Sequence, residues 1–180
     1  GAPEWSDELQ GSVLNVVHGV VIDGEFAGAI GIAVSVQQFS DFLGTLSESL
    51  GQNAFALIGD DTVLAHPLLA QPYEGLSADH PLPLLNEFSD PVLQQIWSQD
   101  GENVDQLKLA PGIQTRWLPT FDDEYLFVFE RLEGYSDQPI IVGSYFRSDD
   151  IGREVERLMG SAAVGALIMV VAVLLSFVVA

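Results

Sequence analysis

Hydrophobic and polar residues alternate most cleanly over residues 28–36. Ile30, Ile32, Val34 and Val36 fall on one side, and Ala29, Gly31, Ala33 and Ser35 on the other. A period of two predicts a strand with one packed face and one face of small residues. Residues 12–22 are apolar and β-branched, as suits a strand. Asp23-Gly24 between the two segments is a strong hairpin turn signal. The period then changes. Phe39, Phe42, Leu43, Leu46 and Leu50 recur at helical spacing. Ser35 with Gln38 three residues on makes a capping pair, and Gly51 sits where a helix stops. Residues 37–50 are therefore predicted to be an amphipathic helix directly after a hairpin.

Residues 53–59 and 62–65 read as two strands around the Asp60-Asp61 turn. Residues 66–90 hold Pro67, Pro72, Pro81 and Pro83, which cannot continue a helix or a central strand. Asp90-Pro91 then opens a short helix carrying Val92, Leu93, Ile96 and Trp97, with Asp as N-cap and Pro in the first turn. Residues 112–118, 124–132 and 139–147 are predicted as three antiparallel strands, turned at Asp122-Asp123 and at 134–137. A last helix starts at 148–150, with acidic groups near its positive end. Its stripe of Ile151, Val155, Leu158 and Ala162 either packs on the domain or meets the same helix of a second subunit. Helices segregated around an antiparallel sheet make the fold class α+β.

Residues 159–180 contain no charged side chain. About 20 apolar residues at ~1.5 Å rise make ~30 Å of helix, the thickness of a hydrocarbon core. A C-terminal transmembrane helix is expected here, and Ser161 with Gly165 would let two such helices approach closely in lipid. The sequence stops at Ala180 with no flank beyond the span, and residues 1–11 look like a cut end, so a piece of a longer protein is expected.

The chain has 6 Lys+Arg against 26 Asp+Glu, a net charge of -20. A Lys/Arg-poor soluble segment suits the translocated side of a membrane. Such acidity excludes nucleic acid as a partner and disfavours lying flat on anionic lipid. There is no cysteine, which leaves the redox compartment open.

Catalytic signatures are missing from the sequence: no cysteine nucleophile, G-x-S-x-G, P-loop or H-E-x-x-H. His18, His66 and His80 lack metal-ligand spacing, and His66-Pro67 and His80-Pro81 sit in predicted loops. Asp122, Asp123 and Glu124 read as a polar hairpin turn rather than a calcium site, because further ligands at the required spacing are missing. No cofactor or metal is expected. The candidate ligand-binding residues are Arg116, Trp117 and Tyr125. A guanidinium beside aromatics on a sheet could clamp a carboxylate, with either ring as a wall. Tyr73 and the Pro-rich loop could form a lid over the same face.

Three stretches resemble parts of the double Cache sensor family. FALIGDDTVLAHPLL (55–69) is similar to the opening hairpin of the membrane-proximal half. DGEFAGAIGIAVSVQQFSDFL (23–43) resembles the last hairpin of the membrane-distal half running into the connecting helix. IVGSYFRSDDIGREVERL (141–158) resembles the final strand and exit helix. The resemblance implies a PAS-like (Cache) five-stranded antiparallel sheet with flanking helices. It divides the chain into a terminal hairpin of a truncated distal half (1–36), a proximal Cache domain (37–147), and a juxtamembrane and transmembrane helix (148–180).

The implied function is the extracytoplasmic, periplasmic input and inner-membrane span of a signalling receptor, expected to act as a homodimer on a small-molecule ligand or a periplasmic protein. The wording of these stretches, with LPLLNEFSDPVLQQIW (82–97), looks most like receptors controlling a class III adenylate cyclase. Sensor histidine kinases and chemoreceptors share this input architecture. A membrane-anchored protein-docking module is the reading from another class. The segments that carry the family's distal ligand pocket are not in the sequence, so the resemblance transfers no ligand residue.

Overall fold

The computed structural model describes residues 3–104, 110–120 and 123–148. Its first sheet has the order β1-β2-β3, from β1 (Pro3–Ser6), β2 (Gly11–Ile22) and β3 (Glu25–Ser35). The predicted hairpin is present. Asp23 and Gly24 both take positive φ, 54° and 84°, as a two-residue turn matched to strand twist requires. Helix α1 (Val36–Leu50) follows at once. Ser35 accepts a hydrogen bond from the Gln38 amide, and Gly51 closes the helix at φ 68°, the left-handed conformation that glycine adopts without strain.

The second sheet contains β4 (Asn53–Ile58), β5 (Thr62–Ala65), β6 (Glu102–Asn103), β7 (Ile113–Thr120), β8 (Asp123–Leu132) and β9 (Ile140–Arg147), in the order β5-β4-β9-β8-β7-β6. The pairings are antiparallel. The last strand in sequence, β9, thus lies in the middle, between β4 and β8. It is the most continuously buried strand, with only Arg147 exposed. Its apolar run without alternation is what burial on both faces demands.

The register sorts the side chains. Phe127 lies opposite Tyr145, and Phe129 opposite Gly143; Leu118 lies opposite Tyr125, and Phe55 opposite Gly143. These share one face. The 66–104 crossover lies against that face, setting Trp97 edge-on to Phe129 with centroids 5.5 Å apart. Phe88, Leu93 and Ile96 of the crossover are fully buried in the same core. Leu126, Val128 and Phe146 face the other way and form a separate apolar cluster.

The structure departs from the sequence reading at three places, and the first is that the main sheet has six strands where five were expected, because β6 pairs onto its edge. The short helix expected after Asp90 is only a 3-10 turn, Leu93–Gln95. So short a helix has little stability of its own, and tertiary bonds claim its residues: the Trp97 indole donates to Asp60 O at 2.8 Å. Strands β1 and β6 were not foreseen. Both are short edge pieces made by pairing with β2 and β7, with no period of their own. Among the described residues, no helix is long and apolar enough to cross a membrane. The predicted span and the helix leading to it, apart from Ser148, lie outside the described residues, as does Asp122 of the polar turn.

Gly143 has no room for a side chain. A Cβ there would come within 2.5 Å of both Phe129 Cβ and Val128 O. Gly143→Ala is expected to cost about 1–3 kcal/mol by overpacking, read as a lower urea midpoint. Gly19→Ala, whose Cβ would meet nothing nearer than 3.6 Å, should change the stability by less than about 0.5 kcal/mol.

Candidate functional site

Asp90 is engaged through both of its carboxylate oxygens. One carboxylate oxygen, Oδ1, accepts from the amides of Val92 and Leu93 at 3.0 and 2.9 Å. That is the N-capping role expected of Asp before Pro91. The other oxygen, Oδ2, accepts from the Tyr145 hydroxyl and lies 3.3 Å from His66 Nε2. The His66 contact is off the line of a good hydrogen bond, so Nε2 has no partner by angle and the attraction is electrostatic. His66 Nδ1 accepts from the Leu68 amide at 3.2 Å, which leaves Nε2 as the protonated nitrogen facing Asp90.

Burial alone would raise the Asp90 pKa. The facing His66 Nε2–H, the Tyr145 hydroxyl and the Leu93 amide outweigh burial and lower it to about 2. Tyr145 moves the other way. Burial first, then the Asp90 charge, push its phenol well above the usual range, so it remains a donor. The carboxylate therefore stays ionised and bonded in a mostly apolar setting, joining the start of the 3-10 turn to Tyr145 near the end of β9.

Aromatic rings fix this group in place. Tyr145 stacks on Phe127 with centroids 4.9 Å apart and meets Phe55 and Tyr125 at 6.3 and 6.1 Å. His66 sits edge-on to Phe88 at 5.1 Å, and Tyr73 stacks on Phe88 at 5.6 Å. The Tyr73 hydroxyl lies 2.9 Å from Ser89 Oγ and accepts from the Ser89 amide at 3.1 Å. The expected lid residue Tyr73 is therefore part of the crossover that covers the sheet. The arrangement fastens a loop to a central strand.

Arg116, Trp117 and Tyr125 are split by the pleat. Arg116 lies opposite Phe127, and Leu118 opposite Tyr125, so Arg116 and Tyr125 share the crossover face. Trp117, opposite Leu126, faces the second cluster and packs against it. The guanidinium is already engaged: Nη1 donates to Asn103 Oδ1 at 3.2 Å, and Nη2 donates to Ser98 O. Its buried Nε has no partner. His66 and Tyr145 were not singled out from the sequence, and Asp90 was read only as a cap. The signal that could have found them was a histidine and an Asp-Pro pair bracketing a loop that must lie on an aromatic sheet. Among the described residues, no group of three His, Cys, Asp or Glu is placed to hold a metal ion.

Two clefts border the crossover. One, of about 650 Å³, is lined by residues between Pro72 and Ser89. The other, of about 330 Å³, lies between Asp79–Leu84 and the 136–138 turn.

The larger sheet is antiparallel throughout, with its central strand fastened under a long crossover, and one α-helix accompanies the two sheets. No protein-family model matches the chain, and no curated protein matches it. Among solved structures, it is similar to the ligand-binding domain of the Pseudomonas fluorescens chemoreceptor CtaA in complex with L-serine, at 15% identity and a TM-score of 0.47, covering 83% of this chain and 54% of that one. It is also similar to that of the Pseudomonas aeruginosa PAO1 chemoreceptor PctB in complex with L-Arg, at 17% identity and a TM-score of 0.44, covering 82% and 53%. The ligand-binding domain of Mlp24 with asparagine matches at 14% identity and a TM-score of 0.45, covering 86% and 52%. The chain spans about half the length of these domains. The amino acids named belong to those proteins.

Asp90 makes folding sensitive to acid. Its folded pKa of about 2 lies below its ordinary 3.8. Its contribution is therefore complete above pH ~4 and is lost as the pH falls towards ~2. That contribution is on the order of 1–2 kcal/mol at neutral pH. Asp90→Asn keeps a capping side chain but removes the charge. Urea unfolding at neutral pH and near pH 2.5 should show a smaller acid-induced loss in the variant, and equal losses would contradict the assignment.

Proposed function

We propose that this chain is the sensory input region of a transmembrane receptor, held outside the cytoplasm, with residues 37–147 as its membrane-proximal Cache domain. One observation carries the reading. The central strand β9 is fastened to the crossover through Asp90 and Tyr145, and the chain then runs from Arg147 towards the apolar segment 159–180. A change in the crossover is thereby delivered to the strand nearest the expected span. Two arrangements of the crossover, biased by a ligand, suffice for a population shift.

The sheet β1-β2-β3 fits the terminal hairpin of a second, distal domain. Val17, Val21, Phe26 and Ile30 are exposed there, Phe26 at 73%, and they come from both faces of the hairpin by register. Strands apolar on both faces belong between two covering layers. At its base, Leu14 joins the main core and Ser12 donates to Pro81 O, so the hairpin is rooted in the proximal domain.

For the output, a chemoreceptor-type input region is the reading taken. The wording of residues 23–43, 55–69 and 82–97 favours a second, a class III adenylate cyclase receptor. Homodimerisation through the juxtamembrane helix belongs to either. A carboxylate ligand at Arg116, beside Tyr125, is a further proposal; it would have to compete with Ser98 O and Asn103 for the guanidinium.

A thermal-shift screen of the chain against amino acids, amines and carboxylates tests the reading. Saturable shifts support a sensor; silence, with a membrane protein co-purifying, supports the docking module. Any carboxylate shift should disappear in Arg116→Gln. In the receptor with its signalling domain, Tyr145→Phe should change basal output by severing the β9 fastening. Basal output equal to wild type would count against transmission through β9.

A further inference from the structure

We infer that the cleft of about 650 Å³ formed within the crossover is a binding site for a small organic cation with an apolar body. Its walls divide by chemistry. Leu76, Leu82 and Leu84 supply apolar surface, Tyr73 an aromatic ring, and Glu74 and Glu87 two carboxylates. No Lys or Arg lines it, nor the adjoining cleft of about 330 Å³, which shares His80, Leu82 and Leu84 and adds Asp79 and Asp137. Among the described residues, neither Glu74 nor Glu87 is paired with a cation: the ion pairs there involve Asp60, Asp90 and Asp123. Carboxylates lining a concave, partly apolar surface concentrate the field and attract cations. An ammonium at either carboxylate would gain a charge-assisted hydrogen bond, while its apolar part covers the leucines.

The aromatic wall is preorganised. Tyr73 stacks on Phe88 and its hydroxyl is held by Ser89, leaving the rest of its ring surface to line the cleft, where it can meet a cation or an apolar group. The leucine side is tied to the sheet: the Val63 amide donates to Pro83 O at 3.0 Å, and the Leu85 amide to Asp61 O at 2.7 Å. Ser89 itself lines the cleft and directly precedes Asp90. An occupant is thus one residue from the carboxylate that fastens β9. The site deepens the sensory reading and rests on it only for the step from an occupied cleft to a signal.

Isothermal titration of the full chain in detergent micelles with 2-phenylethylamine, 2-phenylethanol and 3-phenylpropionate tests the site. The amine should bind saturably, and the alcohol and the acid should not. Glu74→Gln and Glu87→Gln should each weaken the amine about tenfold with unchanged melting temperatures, because both side chains are exposed. Glu48→Gln, on the exposed side of α1, should bind as the wild type does. Failure of the amine to saturate, equal binding of all three probes, or undiminished binding by both Gln variants of the cleft would overturn the proposal. Amine binding with no change in the output of the intact receptor would leave the site standing and overturn the sensory reading instead.

Discussion

A partly buried carboxylate held ionised by its partners constrains the rest of this structure. Asp90 is largely withdrawn from water and recovers hydrogen bonds from Tyr145, Val92 and Leu93, with the His66 ring beside it. A charge so placed is costly unless every lone pair is met. The bonds from Tyr145 in β9 and from the crossover's own amides fix where the crossover sits on the sheet. The burial of Phe88, Leu93 and Ile96 supplies the attraction between loop and sheet, but apolar contact has little directionality. The carboxylate supplies the position.

The strand chosen for this attachment matters. β9 sits between β4 and β8, buried on both faces, and Gly143 within it admits Phe129 at a distance no side chain would allow. A strand so enclosed moves with its neighbours or not at all, since packed cores resist continuous deformation. Fastening a surface crossover to it gives an external binding event a mechanical path to the middle of the sheet. Arg116 plays a comparable part on the far side, tying β7 to the 98–103 segment through Ser98 O and Asn103.

The two sheets differ in how complete they are. The larger one covers its aromatic face with the crossover, whereas the β2–β3 hairpin leaves apolar residues of both faces in water. The same kind of composition, Ile and Val with small residues among them, thus has opposite meanings in the two places. In β9 it is enclosed, and in the hairpin it is a surface suited to further layers.

Much of this architecture was legible in the residues. The hairpin turn at Asp23-Gly24, the capped helix ending at Gly51, the β4–β5 pair and the three later strands all follow from local period and turn chemistry, which act over a few residues. The α+β class follows from their order. The expected span rests on composition alone, and residues 149–180 are not among those described. Long-range pairing was not legible, because period says which face is apolar but not what it meets. Only the tertiary structure put Trp117 on the opposite face from Arg116 and Tyr125, a consequence of strand pleating combined with the β7–β8 register. It alone carried His66 out of an apparent loop into the core. It also brought Asp90 and Tyr145, 55 positions apart in the chain, together, because a buried charge finds its donor wherever the fold can supply one.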